Sequence, residues 1–224
     1  MENFSVREAT GGGDGVPVLD TASYGAEGCG ERRDAAESRR KVLNAAKSLF
    51  SERGVEAVSM YEIGREAGVG QGTLYRRYEH KGALCGALLH ENIERFVEET
   101  RYRLKDKDPV LEQLKYLLAG LARFNEENAS LLGAIRDAAG GARRFAPYQN
   151  PFYQWLRATV AVLLERGVER GEIPALDVEY VSDAILAPLN IDLYLYQRRE
   201  LNMEPERIVS ALLDLLLCGL RDRG

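Results

Sequence analysis

The stretch that decides the fold is SMYEIGREAGVGQGTLYRRYEHK, residues 59–81. Its pattern predicts two short helices joined by a glycine-bearing turn. The Ser59 hydroxyl can accept an otherwise unpaired N–H of the first turn, and Glu62 completes a capping box. Gly68 is placed to end the first helix in the left-handed conformation that glycine adopts at little cost. A short turn followed by a polar second helix indicates a helix-turn-helix.

The second of these helices, predicted from about residue 71 to 78, carries side chains suited to DNA. Leu74 and Tyr78 lie one turn apart and are predicted to face inward. Arginine and glutamine can contact base edges, whereas threonine and tyrosine hydroxyls and lysine suit phosphates. The next helix is predicted to begin at Lys81, where a helix N-terminus and an ammonium both favour a phosphate. The predicted DNA contacts are Ser59, Gln71, Thr73, Tyr75, Arg76, Arg77 and Lys81.

The alternative that this pattern leaves open is an ordinary helical hairpin with a solvated polar face. Charge favours the first interpretation. Residues 35–81 carry nine Lys/Arg and six Asp/Glu, a net charge of +3. Residues 1–34 carry three Lys/Arg and seven Asp/Glu, and residues 82–224 carry eighteen Lys/Arg and twenty-two Asp/Glu, so each of these two regions has a net charge of −4. The positive region therefore contains the helix-turn-helix, and its modest excess predicts salt-sensitive, dimer-assisted DNA binding.

Residues 39–89 resemble the DNA-binding domain of TetR-family regulators. The resemblance rests on a Phe-x-x-x-Gly helix end at Phe50, a serine that opens the next helix, and two further motifs. These motifs are IGREAGV, in which Gly64 replaces the usual alanine, and GTLYRRYEHK, in which Tyr78 replaces the usual phenylalanine. The resemblance implies a three-helix DNA-binding domain, a larger C-terminal helical domain with a small-molecule pocket, and a dimer.

The predicted fold class is all-α: an N-terminal three-helix helix-turn-helix domain joined to a larger C-terminal helical ligand-binding and dimerisation domain. Residues 1–33 are rich in glycine and lack periodicity, which predicts a disordered tail. Residues 34–80 form the predicted DNA-binding domain and residues 81–224 the C-terminal domain. Within the latter, helices are predicted at about 81–105, from 109 past 121, and at about 127–138, 152–170, 177–198 and 205–221, with a loop at 140–151.

The last predicted helix has apolar residues around its whole circumference. Such a helix is buried on all sides. We therefore expect one face to pack on the core and the other on a second copy, so that the last two helices form a homodimer interface. A helix buried wholly within one chain is the alternative.

The effector pocket implied by the resemblance is expected among the aromatic and embedded polar groups of the middle helices. Its candidate residues are Phe96, Phe124, Phe152, Trp155 and Asn190. Core packing is the alternative for the aromatic side chains, and Asn190 could equally bond across the dimer or to backbone freed by a kink at Pro188. The tyrosines of this region favour an aromatic or drug-like effector.

Enzymatic function is not expected, because the two histidines, His80 and His90, lie in or beside the DNA-binding unit. The sequence contains no Gly-x-Ser-x-Gly, no phosphate-binding glycine loop and no metal-spaced His/Cys set. No catalytic residue, metal or cofactor is therefore predicted. The sequence predicts neither a membrane span nor a signal peptide, so a cytoplasmic location without membrane association is expected.

We therefore predict a ligand-responsive repressor that releases a palindromic operator in double-stranded DNA when a small molecule binds the C-terminal domain. The alternative is a helical protein-interaction module without specific DNA binding.

Overall fold

The structure, a computed structural model, describes residues 16–19, 33–105, 107–138 and 146–220. The described residues form α-helices and a 3-10 turn and include no β-strand, which confirms the predicted all-α class. The helices are α1 (Arg33–Arg53), α2 (Met60–Glu66), α3 (Gln71–Arg77), α4 (Lys81–Arg103), α5 (Val110–Ala138), α6 (Ala146–Gln149), α7 (Pro151–Glu169), α8 (Val178–Leu186), α9 (Ile191–Arg199) and α10 (Pro205–Leu220). None of these helices, as far as they are described, is long and apolar enough to cross a membrane.

The chain divides into two compact units. The first, called here the helix-turn-helix unit, comprises Thr21–Glu94 and Asn128–Arg144. The second, called here the C-terminal unit, comprises Met1–Asp20, Arg95–Glu127 and Phe145–Gly224. The helix-turn-helix unit thus extends beyond the predicted boundary at residue 80 and includes α4 from Lys81 to Glu94.

The core of the helix-turn-helix unit explains this extension. Val42 of α1, Ile63 of α2, Leu74 of α3, and Leu84 and Leu88 of α4 are each at most 2% exposed and belong to one cluster. Truncating a fully buried leucine typically costs about 2–5 kcal/mol. The beginning of α4 therefore belongs to the core of this unit, and its buried leucines share a cluster with Leu74 of α3.

A predicted break near residue 127 is wrong, because α5 continues without interruption from Val110 to Ala138. Asparagine side chains on both sides of this point are paired by hydrogen bonds. The Asn125 side-chain amide donates to the Leu189 backbone carbonyl at 2.8 Å, and the Asn92 side-chain amide donates to Asn128 Oδ1 at 2.6 Å. The predicted loop of residues 140–151 includes the one-turn helix α6, and its residues 140–145 lie outside the described part of the chain.

A single helix over residues 177–198 was also a wrong prediction. Helix α8 ends at Leu186, a 3-10 turn covers Ala187–Leu189, and α9 begins at Ile191. Pro188 explains the break, since its ring and its missing N–H disfavour an α-helical interior. The Asn190 side chain then caps α9 by accepting the Asp192 N–H at 3.1 Å.

Part of the predicted disordered tail is packed. Residues 16–19 are described, and Val16 is only 5% exposed. The Pro17 carbonyl accepts a hydrogen bond from the indole N–H of Trp155 at 2.9 Å. The prediction of disorder is therefore wrong for these residues, and the rest of residues 1–32 lies outside the described part.

Candidate nucleic-acid interface

The predicted capping box at the start of α2 is present in the structure, which confirms it. The Glu62 N–H donates to Ser59 Oγ at 3.2 Å, and the Ser59 N–H donates to Glu62 Oε2 at 2.9 Å. The Ser59 hydroxyl also donates to the same carboxylate at 2.8 Å, and Arg53 donates to its other oxygen at 2.7 Å. The hydrogen bond from the Ser59 backbone, followed by that from Arg53, lowers the pKa of Glu62 to about 2. Ser59 is therefore engaged in holding the helix end.

Replacing Glu62 by glutamine is expected to remove an acid-sensitive contribution to folding. A carboxyl group whose pKa is lower in the folded chain stabilises it above its ordinary pKa and loses this effect as pH falls. The difference in unfolding free energy between wild type and Glu62→Gln should therefore be constant above about pH 4.5 and shrink between there and about pH 2. Urea titrations over this pH range measure it. The matched control is Glu66→Gln, at an exposed position of the same helix; a pH-independent difference for Glu62→Gln would contradict the expectation.

The turn between α2 and α3 depends on a left-handed glycine, as predicted. Gly68 has a φ of 64°, a conformation that side chains with a Cβ rarely adopt. Its N–H donates to the Arg65 carbonyl at 3.2 Å, and the Val69 N–H donates to the Gly64 carbonyl at 2.9 Å. These bonds satisfy the last carbonyls of α2. The partly buried Val69 then packs on the core of the unit, two residues before α3 begins at Gln71.

Gly64 allows α2 and α3 to approach closely. A Cβ at this position would collide with the Gln71 amide and would lie 3.3 Å from Leu74 Cδ2. The same amide donates to the Tyr61 carbonyl at 3.1 Å. Gln71 therefore ties the two helices together from a half-buried position. The structure places it between the helices and not on an outer face suited to base contacts.

The outer face of α3 follows from helical periodicity around its buried residue. Leu74 is 1% exposed, and positions three residues away lie beside it on the helix. Gln71 and Arg77 occupy these flanking positions and are both half-buried. The remaining predicted contacts, Thr73, Tyr75 and Arg76, are all exposed and lie along the solvent-facing arc of α3. The structure thus brings these three together on one surface.

Two further exposed residues, both on α2, lie outside the predicted set of DNA contacts. Tyr61 is 62% exposed, and Arg65 is exposed as well. Both lie two positions from the buried Ile63, which places them on the side of α2 that faces away from the core. The same periodicity argument, applied to α2, would have found them.

Lys81 makes contacts within the helix-turn-helix unit. Its ammonium donates to the carbonyls of Val55, Glu56 and Val58 at 2.8, 3.2 and 3.1 Å. These carbonyls belong to the connection between α1 and α2. An ammonium has three donors, so this arrangement uses its full donor capacity. The structure therefore places Lys81 as a clamp on that connection, in place of the predicted phosphate contact.

Replacing Lys81 by methionine is expected to destabilise the chain by about 1.5–3 kcal/mol, because hydrogen bonds to a charged group are lost and carbonyls are left unpaired. Denaturant titration measures this change. The matched control is Lys47→Met, which removes an exposed lysine paired with Glu91 in the same unit and should cost about 0–1 kcal/mol. Unchanged stability combined with weaker DNA binding would instead assign Lys81 to a phosphate.

The predicted pocket residues are only partly brought together. Phe96, Phe124, Phe152 and Trp155 form one aromatic cluster in the C-terminal unit, with ring centroids 5.2–6.2 Å apart. These rings pack against one another. Asn190 is the cap of α9, and its side chain accepts the Asp192 N–H. A groove of about 630 Å³ lies elsewhere in this unit, between α5 and α10, and none of the predicted pocket residues lines it.

Comparison with known proteins identifies the family. Residues 42–88 match the family described as bacterial regulatory proteins, tetR family, and residues 104–214 match the tetracyclin repressor-like C-terminal domain. An HTH-type transcriptional regulator of Staphylococcus aureus is 30% identical over 186 residues, which cover 83% of this chain and 96% of the relative. The chain belongs to the TetR family of transcriptional regulators. Its interpretation as a helix-turn-helix regulator is confirmed, and the alternative of a mere protein-interaction module is not supported.

Solved structures agree with this TetR-family assignment in fold. A transcriptional regulator from Saccharomonospora viridis in complex with choline superposes with a TM-score of 0.64 at 16% identity, covering 84% of this chain and 100% of that one. The SmeT–triclosan complex gives a TM-score of 0.60 at 20% identity, covering 84% of this chain and 93% of that one. At these identities the likeness concerns the fold alone.

Proposed function

We propose that this TetR-family regulator is a homodimeric repressor that binds a palindromic operator through α3 and releases it when a small molecule binds the C-terminal unit. The observation that carries the DNA contact is the exposed face of Thr73, Tyr75 and Arg76. The hydroxyl groups suit phosphates, and the guanidinium suits a guanine edge or a phosphate. The hydrogen bond from Gln71 to the Tyr61 carbonyl fixes α3 against α2, and Lys81 fixes the connection that precedes α2.

Dimerisation through α9 and α10 is supported by apolar side chains that lack cover in a single chain. On α10, Ile208 and Leu212 are buried, whereas Leu215 is 71% exposed. On α9, Leu193 and Tyr196 are 42% and 52% exposed. A symmetric dimer would cover such a surface with the same surface of a second copy. Two α3 helices would then face half-sites one or more DNA turns apart, which requires a palindromic operator.

The effector is proposed to bind at the aromatic cluster around Trp155. The choline and triclosan complexes of the two superposed regulators support small-molecule binding in a domain of this fold. In this chain the cluster favours an aromatic or drug-like molecule, because stacked and edge-on rings provide an apolar wall. Asn190 is left out of this site, since its side chain caps α9. Release of DNA requires an effector that prefers the non-binding state, with a coupling of about 1–3 kcal/mol.

The experiment that tests this function is a fluorescence-anisotropy titration of the full chain with duplexes from the region upstream of its own gene. One palindromic duplex should bind roughly 1,000-fold or more tightly than its scrambled counterpart, as for specific regulators in general. Affinity should also fall as salt rises, because phosphate contacts release counterions. Equal binding of palindromic and scrambled duplexes at every salt concentration would refute the proposal.

A further inference from the structure

The indole N–H of Trp155 is the polar group from which the inference starts. Trp155 lies on α7 and is 1% exposed, so its N–H has no access to bulk water. An indole offers a single donor and no acceptor, and buried donors are almost always paired. The partner here is the carbonyl of Pro17 at 2.9 Å, from a residue 138 positions earlier in the chain.

The segment that supplies this carbonyl, Val16–Leu19, resembles an apolar ligand in its chemistry. Val16 and Pro17 are buried, whereas Val18 is 42% exposed. Pro17 has no N–H, so it brings an acceptor to the indole without a donor that would itself need a partner. The segment forms neither helix nor strand. Its attachment therefore comes from a buried valine, a proline ring and one carbonyl.

The surroundings of Trp155 are aromatic. Phe152 stacks on the indole at 6.2 Å with an interplanar angle of 7°, and Phe96 meets it edge-on at 6.2 Å. Phe124 completes the cluster. An apolar wall with one fixed polar donor is the usual composition of a site for a largely apolar ligand. Such a ligand must offer an acceptor to the indole, or the buried N–H remains unpaired.

We propose that Val16–Leu19 is a built-in occupant of the effector site, displaced by a neutral apolar effector whose oxygen acceptor takes the place of the Pro17 carbonyl at Trp155. This inference rests on the proposed function and adds the chemical class of the effector and its competitor. The segment is readily displaced because ordering four residues opposes the gain from one hydrogen bond and two buried side chains.

The contact is measurable because Trp155 is the single tryptophan of the chain. Val16→Asp places a charge at a buried position and should eject the segment. The matched control is Val18→Asp, one residue beyond Pro17 and already exposed. Tryptophan emission should shift to the red and become more sensitive to acrylamide quenching in Val16→Asp alone. Unchanged emission in Val16→Asp would overturn the assignment of the segment to this site.

Competition is tested with Prodan, a neutral naphthalene that carries one ketone, and with the same naphthalene lacking the ketone. An occupied site lowers apparent affinity by the fraction of chains in which it is free. Prodan should therefore bind Val16→Asp at least tenfold more tightly than wild type or Val18→Asp. Val16→Ala, a milder change, should fall between them and serves if the aspartate variant does not fold. Trp155→Phe should remove the preference for the ketone.

Equal Prodan affinity in wild type and the Val16 variants would overturn the competition. Equal affinity for the two naphthalenes would overturn the carbonyl subsite. Both outcomes are separable from failure of the proposed function, because operator binding by the wild-type chain is measured without any probe. A chain that binds its operator but shows no effect of Val16 retains the proposed function and loses this inference.

Discussion

Replacing Tyr75 by alanine is expected to weaken operator binding by about 10- to 100-fold, since one good contact to DNA is worth about 1–3 kcal/mol and each tenfold change in affinity is about 1.4 kcal/mol. Tyr75 is 49% exposed on α3, beside Thr73 and Arg76, and it makes no contribution to the buried core. Dimer mass and unfolding free energy should therefore stay unchanged. Anisotropy titrations at fixed salt measure the loss, and Tyr75→Phe separates the hydroxyl from the ring.

The matched control for this variant is Tyr102→Ala. Tyr102 is 79% exposed on α4 and lies in the C-terminal unit, outside the proposed interface. It should leave the affinity for the operator unchanged. An unaltered affinity for Tyr75→Ala at the same salt concentration would show that the outer face of α3 does not contact DNA in the proposed way.

Local signals predicted the frame of this interface well. The capping box at Ser59, the left-handed Gly68 and the inward Leu74 each depend on residues within a few positions of one another. Such patterns are set by backbone geometry that is the same in every helix. These are the features that hold α2 and α3, and the sequence contains enough information to place them.

Side chains with distant partners were the ones misplaced. Lys81 donates to carbonyls 23–26 residues earlier, and Gln71 donates to a carbonyl ten residues earlier. Their residue types suit DNA equally well, so type alone does not distinguish a phosphate ligand from an internal clamp. For Gln71 a signal was present, because it lies one turn from Leu74 and therefore beside the buried face. For Lys81 no local signal was present, because its partners are carbonyls of the connection between α1 and α2.

The C-terminal unit shows the same limit. The break at Pro188 has a local cause, but the sequence analysis mentioned a kink there only as a source of partners for Asn190. The contact between Trp155 and Pro17 joins residues 138 positions apart, and no periodicity of the sequence predicts it. Composition instead favoured a disordered tail, because the glycine-rich surroundings of Val16 conceal a short apolar segment.

Replacing Leu215 by glutamate is expected to convert the proposed dimer into monomers with a mass of 25.0 kDa. Leu215 is 71% exposed in a single chain, so the substitution costs little within the protomer. In a symmetric interface, however, the substitution appears twice, and each carboxylate is buried without a partner. The free energy of association also loses the contacts of two leucine side chains. Sedimentation equilibrium over a range of protein concentrations measures the change in mass.

The same substitution should also lower operator affinity more than Tyr75→Ala does. Two linked α3 helices bind a palindrome with an effective concentration that a monomer lacks, and this advantage can reach about 100- to 10,000-fold. Binding to a single half-site should be unaffected, because the exposed face of α3 remains intact. Tyr102→Glu, a charge at an exposed tyrosine of α4, should preserve both mass and affinity. A Leu215→Glu protein that keeps the mass of two chains would place the dimer interface away from this part of α10.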